Sequence, residues 1–396
     1  MERPSPARRE PWPRQAADAV RDVRGGVRLL VDGLRHGLDR LEAAHARLAS
    51  VEPPVRGARV GRPNTGIGAL VWRGLRGTTD LAGGALDLTL ASLQAWLVDP
   101  QRERHPPAPQ PAREAAVALL NAVLGDHLHQ TENPLAIPLR LRTPDDGVLQ
   151  PRVLLLAHDL GRSDLQWRQG THDHGQALAE ALSCTPVHVA YNSGRPVAAT
   201  GRELAAELEV LLAHWRLPLQ GVVLLGHGLG GLVLRSALYQ AQRAGMAWPA
   251  HVRRIVFLGT PHHGADLSVD LFSRLGLGPR SGLPPLGRLA RRRSPGMRDF
   301  LEGRVLEDEP DGPATPALQA TAGLPAGVPA YAIAGAVGDG RSDGVVPVDS
   351  ALGRHPVAGR DLLLPPEHRW VVHDVDHAGL LRSEAVFQKM RQWLSA

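Results

Sequence analysis

Cysteine is almost missing from this chain: Cys184 stands alone among 396 residues. A lone cysteine leaves nothing to pair with in an intrachain disulfide and cannot build a thiolate cage for a metal. It suits a reducing, cytoplasmic setting. Long apolar runs are missing too. No stretch reaches the roughly 18 residues that a membrane-crossing helix needs, and the opening "MERPSPARREPWPRQ" is charged, with no apolar segment behind it, so it does not read as a secretory signal. Lysine is nearly absent, Lys389 being the single one, so arginine carries almost all the positive charge. The net charge is only +5, and the one local cluster, "RLARRRSPGMR" at 288–298, reads as a solvated loop or helix face. No nucleic-acid partner is expected. Aromatic residues are sparse at 4%, whereas 43 glycines and 34 prolines predict many turns and loops. A hydrophobic content of 43% is that of a globular protein with a sizeable core.

The pattern divides the chain. Residues 1–15, rich in Pro and Arg, predict a disordered basic tail. From 16 to 130 the chain reads as a helical region. Val20, Val23, Val27, Leu30, Val31, Leu34, Leu38 and Leu41 recur at three- and four-residue steps, forming one face of an amphipathic helix over 16–49. A glycine-rich helical stretch at 67–98 reads either as half of a docked hairpin or as an interfacial membrane helix that gives peripheral membrane contact. "DPQRERHPPAPQPA" at 99–112 is a Pro-rich linker, and 112–128 a third helix. Beyond residue 131 short apolar runs take over: 136–142, 152–158, 185–192, 221–227, 254–260, 330–336 and 369–375. Helical stretches alternate with several of them. Continuous apolar strands between amphipathic helices predict an α/β domain over 131–396, its mostly parallel sheet covered on both faces. The span 264–325 interrupts the rhythm and sits where a lid would be inserted.

Functional groups in such sheets collect at the carboxyl ends of the strands. Gly228, in "VVLLGHGLGGLVLRS", follows one strand; Asp343, in "GDGRSDGVVPVDS", follows another; His377, in "HDVDHAGLL", follows the last. Nucleophile position, acid and histidine in that chain order match the triad of α/β hydrolases. Asp339 and Asp349 are alternative acids. At this point a resemblance to a family emerges. "SDLQW", "HDHGQALAEAL", "YNSGRPVAATGREL", "LLGHGLGGLVLRSA", "FLGTPHHGA", "SDGVVPVDSALGRH" and "DHAGLLRSEAVFQKMRQWL", in that order, resemble α/β-hydrolase-fold lipases and esterases of the bacterial group similar to GPI inositol-deacylases and triacylglycerol lipases. The resemblance implies ester cleavage by a serine at position 228, with Asp343 orienting His377 as its base. It also implies an oxyanion hole around Asp159, Leu160 and Leu229, and an elbow formed with Gly226, His227 and Gly230.

The chain departs from that pattern twice. Gly228 has no side-chain atom that can attack a carbonyl. Asp159 follows His158 where the family has His-Gly, and a carboxylate there opposes a developing oxyanion; its backbone N–H would survive if the side chain turned away. Glycine at 228 relieves the backbone strain of the elbow, while Gly226 and Gly230 keep strand and helix close. Ser163, Ser193 and Cys184 are candidate replacement nucleophiles, each with an ordinary role as turn or core residue, and a water activated by His377 is another route. The histidines of "HDHG" (172–175) and "PHHG" (261–264) lack the carboxylate spacing of a zinc site, and Asp173 reads as a helix cap. No metal or cofactor is expected. The combined expectation is a lipase/esterase-like protein impaired as an ester hydrolase, whose pocket takes an acyl or ester-type small molecule or lipid.

Overall fold

The computed structural model of the chain describes residues 20–33, 35, 87, 111–144, 149–169, 172–265, 294–307 and 315–395. The tail 1–15, the linker up to residue 110, the stretch 67–98 apart from Asp87, and the centre of the expected lid lie outside the described residues. Two compact units are distinguished: residues 1–110 with 130–135 and 272–292, and residues 111–129 with 136–271 and 293–396. In the first, residues 20–33 are helical. Asp87 accepts from Nε of both Arg24 and Arg28 at 2.7 Å. The hydrogen bond from Arg28, against the cost of burial, brings the Asp87 carboxyl down to about 2.

The second unit carries a seven-stranded sheet. Its elements are α1 (Pro111–Gln130), β1 (Arg140–Arg142), β2 (Arg152–Ala157), α2 (His174–Leu182), β3 (Cys184–Ala190), α3 (Val197–Ala213), β4 (Gly221–His227), α4 (Leu229–Arg243), β5 (Val252–Leu258), α5 (Pro295–Glu302), α6 (Pro316–Thr321), β6 (Ala330–Ala336), β7 (Arg369–His373) and α7 (Glu384–Ser395), with single turns between. The order across the sheet is β1-β3-β2-β4-β5-β6-β7. Only β1 runs antiparallel, against β3. Each strand lies within a few residues of the run that predicted it.

The strands read as unbroken apolar runs because both faces are covered. Leu204 and Leu208 of α3 and Leu232 and Val233 of α4 close one face over Val153, Leu155 and Leu224. Leu178 of α2 with Val386, Met390 and Trp393 of α7 closes the other over Leu154, Leu156 and Leu225. Cys184 opens β3 within that second layer, where burial raises its thiol to about 11, so it is a packing residue rather than a nucleophile.

Within the expected lid span the structure places α5 and α6. Asp299 of α5 accepts from the Val197 N–H at the start of α3 (2.8 Å), and burial lifts its carboxyl to about 6. The α6 segment is held from α4 by Arg235, 1% exposed. Its guanidinium donates to the carbonyls of Ala322 (3.0 Å), Gln319 (2.5 Å) and Ala320 (2.8 Å). Burial brings it down to about 9, which still leaves it cationic at neutral pH.

Candidate active site

Topology brings positions 159 and 228 together. From β2 the chain moves to β3 on one side, then crosses to β4 on the other, so the crevice of the sheet opens at the ends of β2 and β4. These two strands are in parallel register with Ala157 opposite Gly226. Asp159 and Gly228 each lie two residues further on, at the same level of neighbouring strands.

Gly228 holds φ +53° and ψ −122°, a conformation that side chains with a Cβ rarely adopt. Its N–H donates to Leu258 O at 2.9 Å, and α4 begins at the next residue. The helix starts so close to β2 that a Cβ on Gly230 would lie 2.3 Å from Ala157 O. The backbone therefore forms a strand–turn–helix elbow at Gly228, a residue with no side chain.

Where the serine would project, another side chain stands. An ideal Cβ on Gly228 would fall 1.8 Å from Asp159 Oδ1 and 2.3 Å from Asp159 Cγ. Asp159 does not turn away, as one expectation allowed; it turns in. Its Oδ1 accepts from the Leu229 N–H at 2.8 Å, and its Oδ2 meets His377 Nε2 at 3.1 Å. The physical reason is solvation: a carboxylate 7% exposed needs donors, and an empty elbow offers a backbone N–H and an imidazole. The backbone of Asp159 is equally fixed. Its N–H donates to Gln166 Oε1 (3.1 Å), and its carbonyl faces His158 Nδ1 (2.9 Å). The His158 ring stacks on Tyr191 at 4.1 Å, whose hydroxyl donates to His158 O at 2.5 Å.

Behind His377 the acid is Asp343. His377 Nδ1 donates to Asp343 Oδ2 at 2.7 Å, and the His377 N–H donates to Asp343 O at 3.0 Å. Asp343 Oδ1 accepts from Val345 and Val346 N–H at 2.9 and 2.7 Å. Asp339 and Asp349 face outward and pair with Arg341 and Arg354. His377 thus lies between two carboxylates. Burial alone would lower its pKa, but Asp343 and Asp159 outweigh burial and hold it up at about 10. Burial likewise works to raise the Asp159 carboxyl, yet the bond from His377 keeps it well below the usual carboxylate range. At neutral pH His377 is therefore held as the imidazolium against Asp159. The His227 ring lies tilted against that of His377 (centroids 4.6 Å apart) and donates Nε2–H to His377 O at 3.0 Å. Burial, with the nearby His377 charge, lowers His227 to about 4, so it stays neutral.

The expected oxyanion hole is closed, since the N–H of Leu229 is taken by Asp159 Oδ1 and that of Asp159 by Gln166. Leu160 packs partly buried against the core. Ser163 caps a short turn by accepting from Leu165 N–H, and Ser193 Oγ accepts from Gly161 N–H at 3.0 Å. Asp159, His227 and His377 offer ligand atoms within 4.8 Å of one another, and two of them, Asp159 and His377, are already paired with each other at 3.1 Å. His262 faces Arg235 Nη1 at 3.2 Å, a neighbour that repels a metal. Asp173 caps α2 by accepting from Gln176 N–H (2.9 Å). Sequence reasoning missed Gln166, Tyr191 and Arg235. It also missed the contact of Asp159 with His377, although the equal offset of the two departures from their strands was a usable signal.

A parallel sheet with this strand order, a strand–turn–helix elbow after β4, an acid after β6 and a histidine after β7 defines the α/β-hydrolase fold. The chain matches the family described as PGAP1-like alpha/beta domain over residues 204–276, which contain the elbow. It is also similar to a lipase of Bacillus licheniformis in its mature form, at 17% identity and TM-score 0.43, covering 65% of this chain and 98% of that one. A hyperthermophilic esterase of Pyrobaculum calidifontis aligns at 16% identity and TM-score 0.39, covering 65% of this chain and 80% of the esterase. No curated protein matches the chain.

Proposed function

We propose that this chain is a lipase/esterase-like α/β-hydrolase that has lost serine-dependent ester cleavage. One observation carries the reading: the Asp159 carboxylate fills the space that a side chain at 228 would need, and takes both the oxyanion donor and the base. Without a hydroxyl at the elbow no acyl-enzyme forms there. In another fold with the same triad logic, serine loss costs about a millionfold in rate. An acyl or ester-type ligand is the occupant this reading expects, on the resemblance of the sequence motifs to those of lipases and esterases. Among the described residues no helix is long and apolar enough to cross a membrane. Any peripheral membrane contact through residues 67–98 is tested by liposome flotation of the chain with and without residues 1–110.

The purified protein is expected to give no p-nitrophenyl ester turnover above buffer and no stoichiometric fluorophosphonate adduct. Turnover that disappears in His377→Ala, or an adduct on any serine, overturns the proposal.

A further inference from the structure

The hydroxyl is gone from the elbow, but an oxygen is not. We propose that Asp159 is a carboxylate nucleophile, reaching the point of attack from β2 instead of β4, and that the site hydrolyses primary alkyl halides through an ester formed on Asp159. This rests on the reading that no serine attacks at position 228.

Three features of the geometry support it. Asp159 Oδ1 and Cγ overlap the volume of a side chain at 228, so the carboxylate occupies the nucleophile's own place. Its Oδ1 already accepts the Leu229 N–H at 2.8 Å. Once Oδ2 has been alkylated, Oδ1 becomes the carbonyl oxygen of the ester and later the oxyanion, with its donor in place. On the other side His377 Nε2, 3.1 Å from Oδ2 and backed by Asp343, stands where a water attacking that ester would have to lose its proton.

The substrate class follows from the products. A carboxylate attacking an acyl carbon makes a mixed anhydride, higher in energy than the ester attacked, whereas attack on a saturated carbon makes an ordinary ester. In the first step an Oδ2 lone pair forms the new C–O bond, and the halide leaves with the bonding pair, needing no proton. Esterification removes the Asp159 charge, and the second imidazole proton, no longer held between two carboxylates, passes to solvent. Neutral His377 then takes a proton from water as its oxygen adds to the Asp159 carbonyl carbon, and the oxyanion forms on Oδ1. Collapse expels the alkoxide, which leaves as alcohol with the proton from His377, and the new Asp159 acid returns its own proton to His377. Alkyl halide and water become alcohol, halide and one proton.

The test uses the full chain, 1-bromohexane as probe and ¹⁸O-labelled water. Bromide release, with one solvent oxygen found in the peptide containing Asp159, is the expected result. His377→Gln should stop the second step and accumulate a hexyl ester on Asp159, while Asp159→Asn and Asp159→Ala, each shown folded by its melting curve, should lose bromide release about a hundredfold or more. Absence of bromide release by the native chain together with no ester in His377→Gln overturns the proposal, as does release with no label in Asp159. Fluorophosphonate labelling of the native chain would instead strike the reading beneath it, whatever 1-bromohexane does.

Discussion

Restoring a serine at the elbow should fail unless Asp159 is removed as well. In Gly228→Ser the new Cβ would lie 1.8 Å from Asp159 Oδ1, far inside any tolerated contact, so the carboxylate must leave. Leaving breaks a buried pair with His377 (3.1 Å) and a hydrogen bond from Leu229 (2.8 Å). Losing one partner of a buried ion pair costs about 3–5 kcal/mol. The serine must also hold φ near +53°, which adds about 1–3 kcal/mol. The single variant should therefore melt well below the native chain and hydrolyse no p-nitrophenyl butyrate. In Gly228→Ser/Asp159→Gly the clash is gone, the Leu229 N–H is free for an oxyanion, and His377 keeps Asp343 as partner. Ester turnover and fluorophosphonate labelling should appear there, and the double variant should be more stable than the sum of the singles by about 0.5–3 kcal/mol. If Gly228→Ser alone labels as fast as the double variant, the carboxylate does not occupy the site as described and the reasoning fails.

Three further outcomes follow from the same contacts. The His377 pKa, about 10 when folded against about 6.5 unfolded, stabilises the fold fully below pH 6.5 and is lost as pH climbs towards 10. Urea unfolding should thus weaken by a few kcal/mol between those limits, and by less in Asp159→Asn, which removes one of the two carboxylates. Arg235→Met should destabilise by about 3–5 kcal/mol, because three carbonyls, two of them in buried bonds, lose their donor, and denaturant melts would show a loss under 1 kcal/mol if the clamp on α6 were incidental. Tyr191→Phe should cost about 1 kcal/mol through the hydroxyl bond to His158 O, visible as a lower melting temperature with the fold intact.

Much of the architecture was legible along the chain because its signals are local. Apolar runs such as "RVLLLA" and "GVVLLGH" (residues 152–157 and 221–227) are strands whichever neighbours they find, and their alternation with helices demands a parallel sheet. The elbow was legible in part for the same reason: Gly226 sits against Gly231, five residues on, whereas Gly230 serves the distant carbonyl of Ala157. Asp343 stood out from Asp339 and Asp349 by its place in "SDGVVP", and it is the acid that His377 meets. Arg235 was not legible. In an amphipathic helix it reads as a solvent-facing residue, yet it serves carbonyls more than 80 residues away.

By itself the sequence determined that position 228 carries no hydroxyl and that position 159 carries a carboxylate, since residue chemistry needs no fold to be read. It could not determine that the two positions meet. Position 159 and position 228 are 69 residues apart in the numbering, and only the parallel register of β2 with β4 sets them at one level. Whether Asp159 faced solvent or the elbow was decided by tertiary structure, because a buried carboxylate goes where donors are, and the Leu229 N–H and His377 meet only once the sheet has closed.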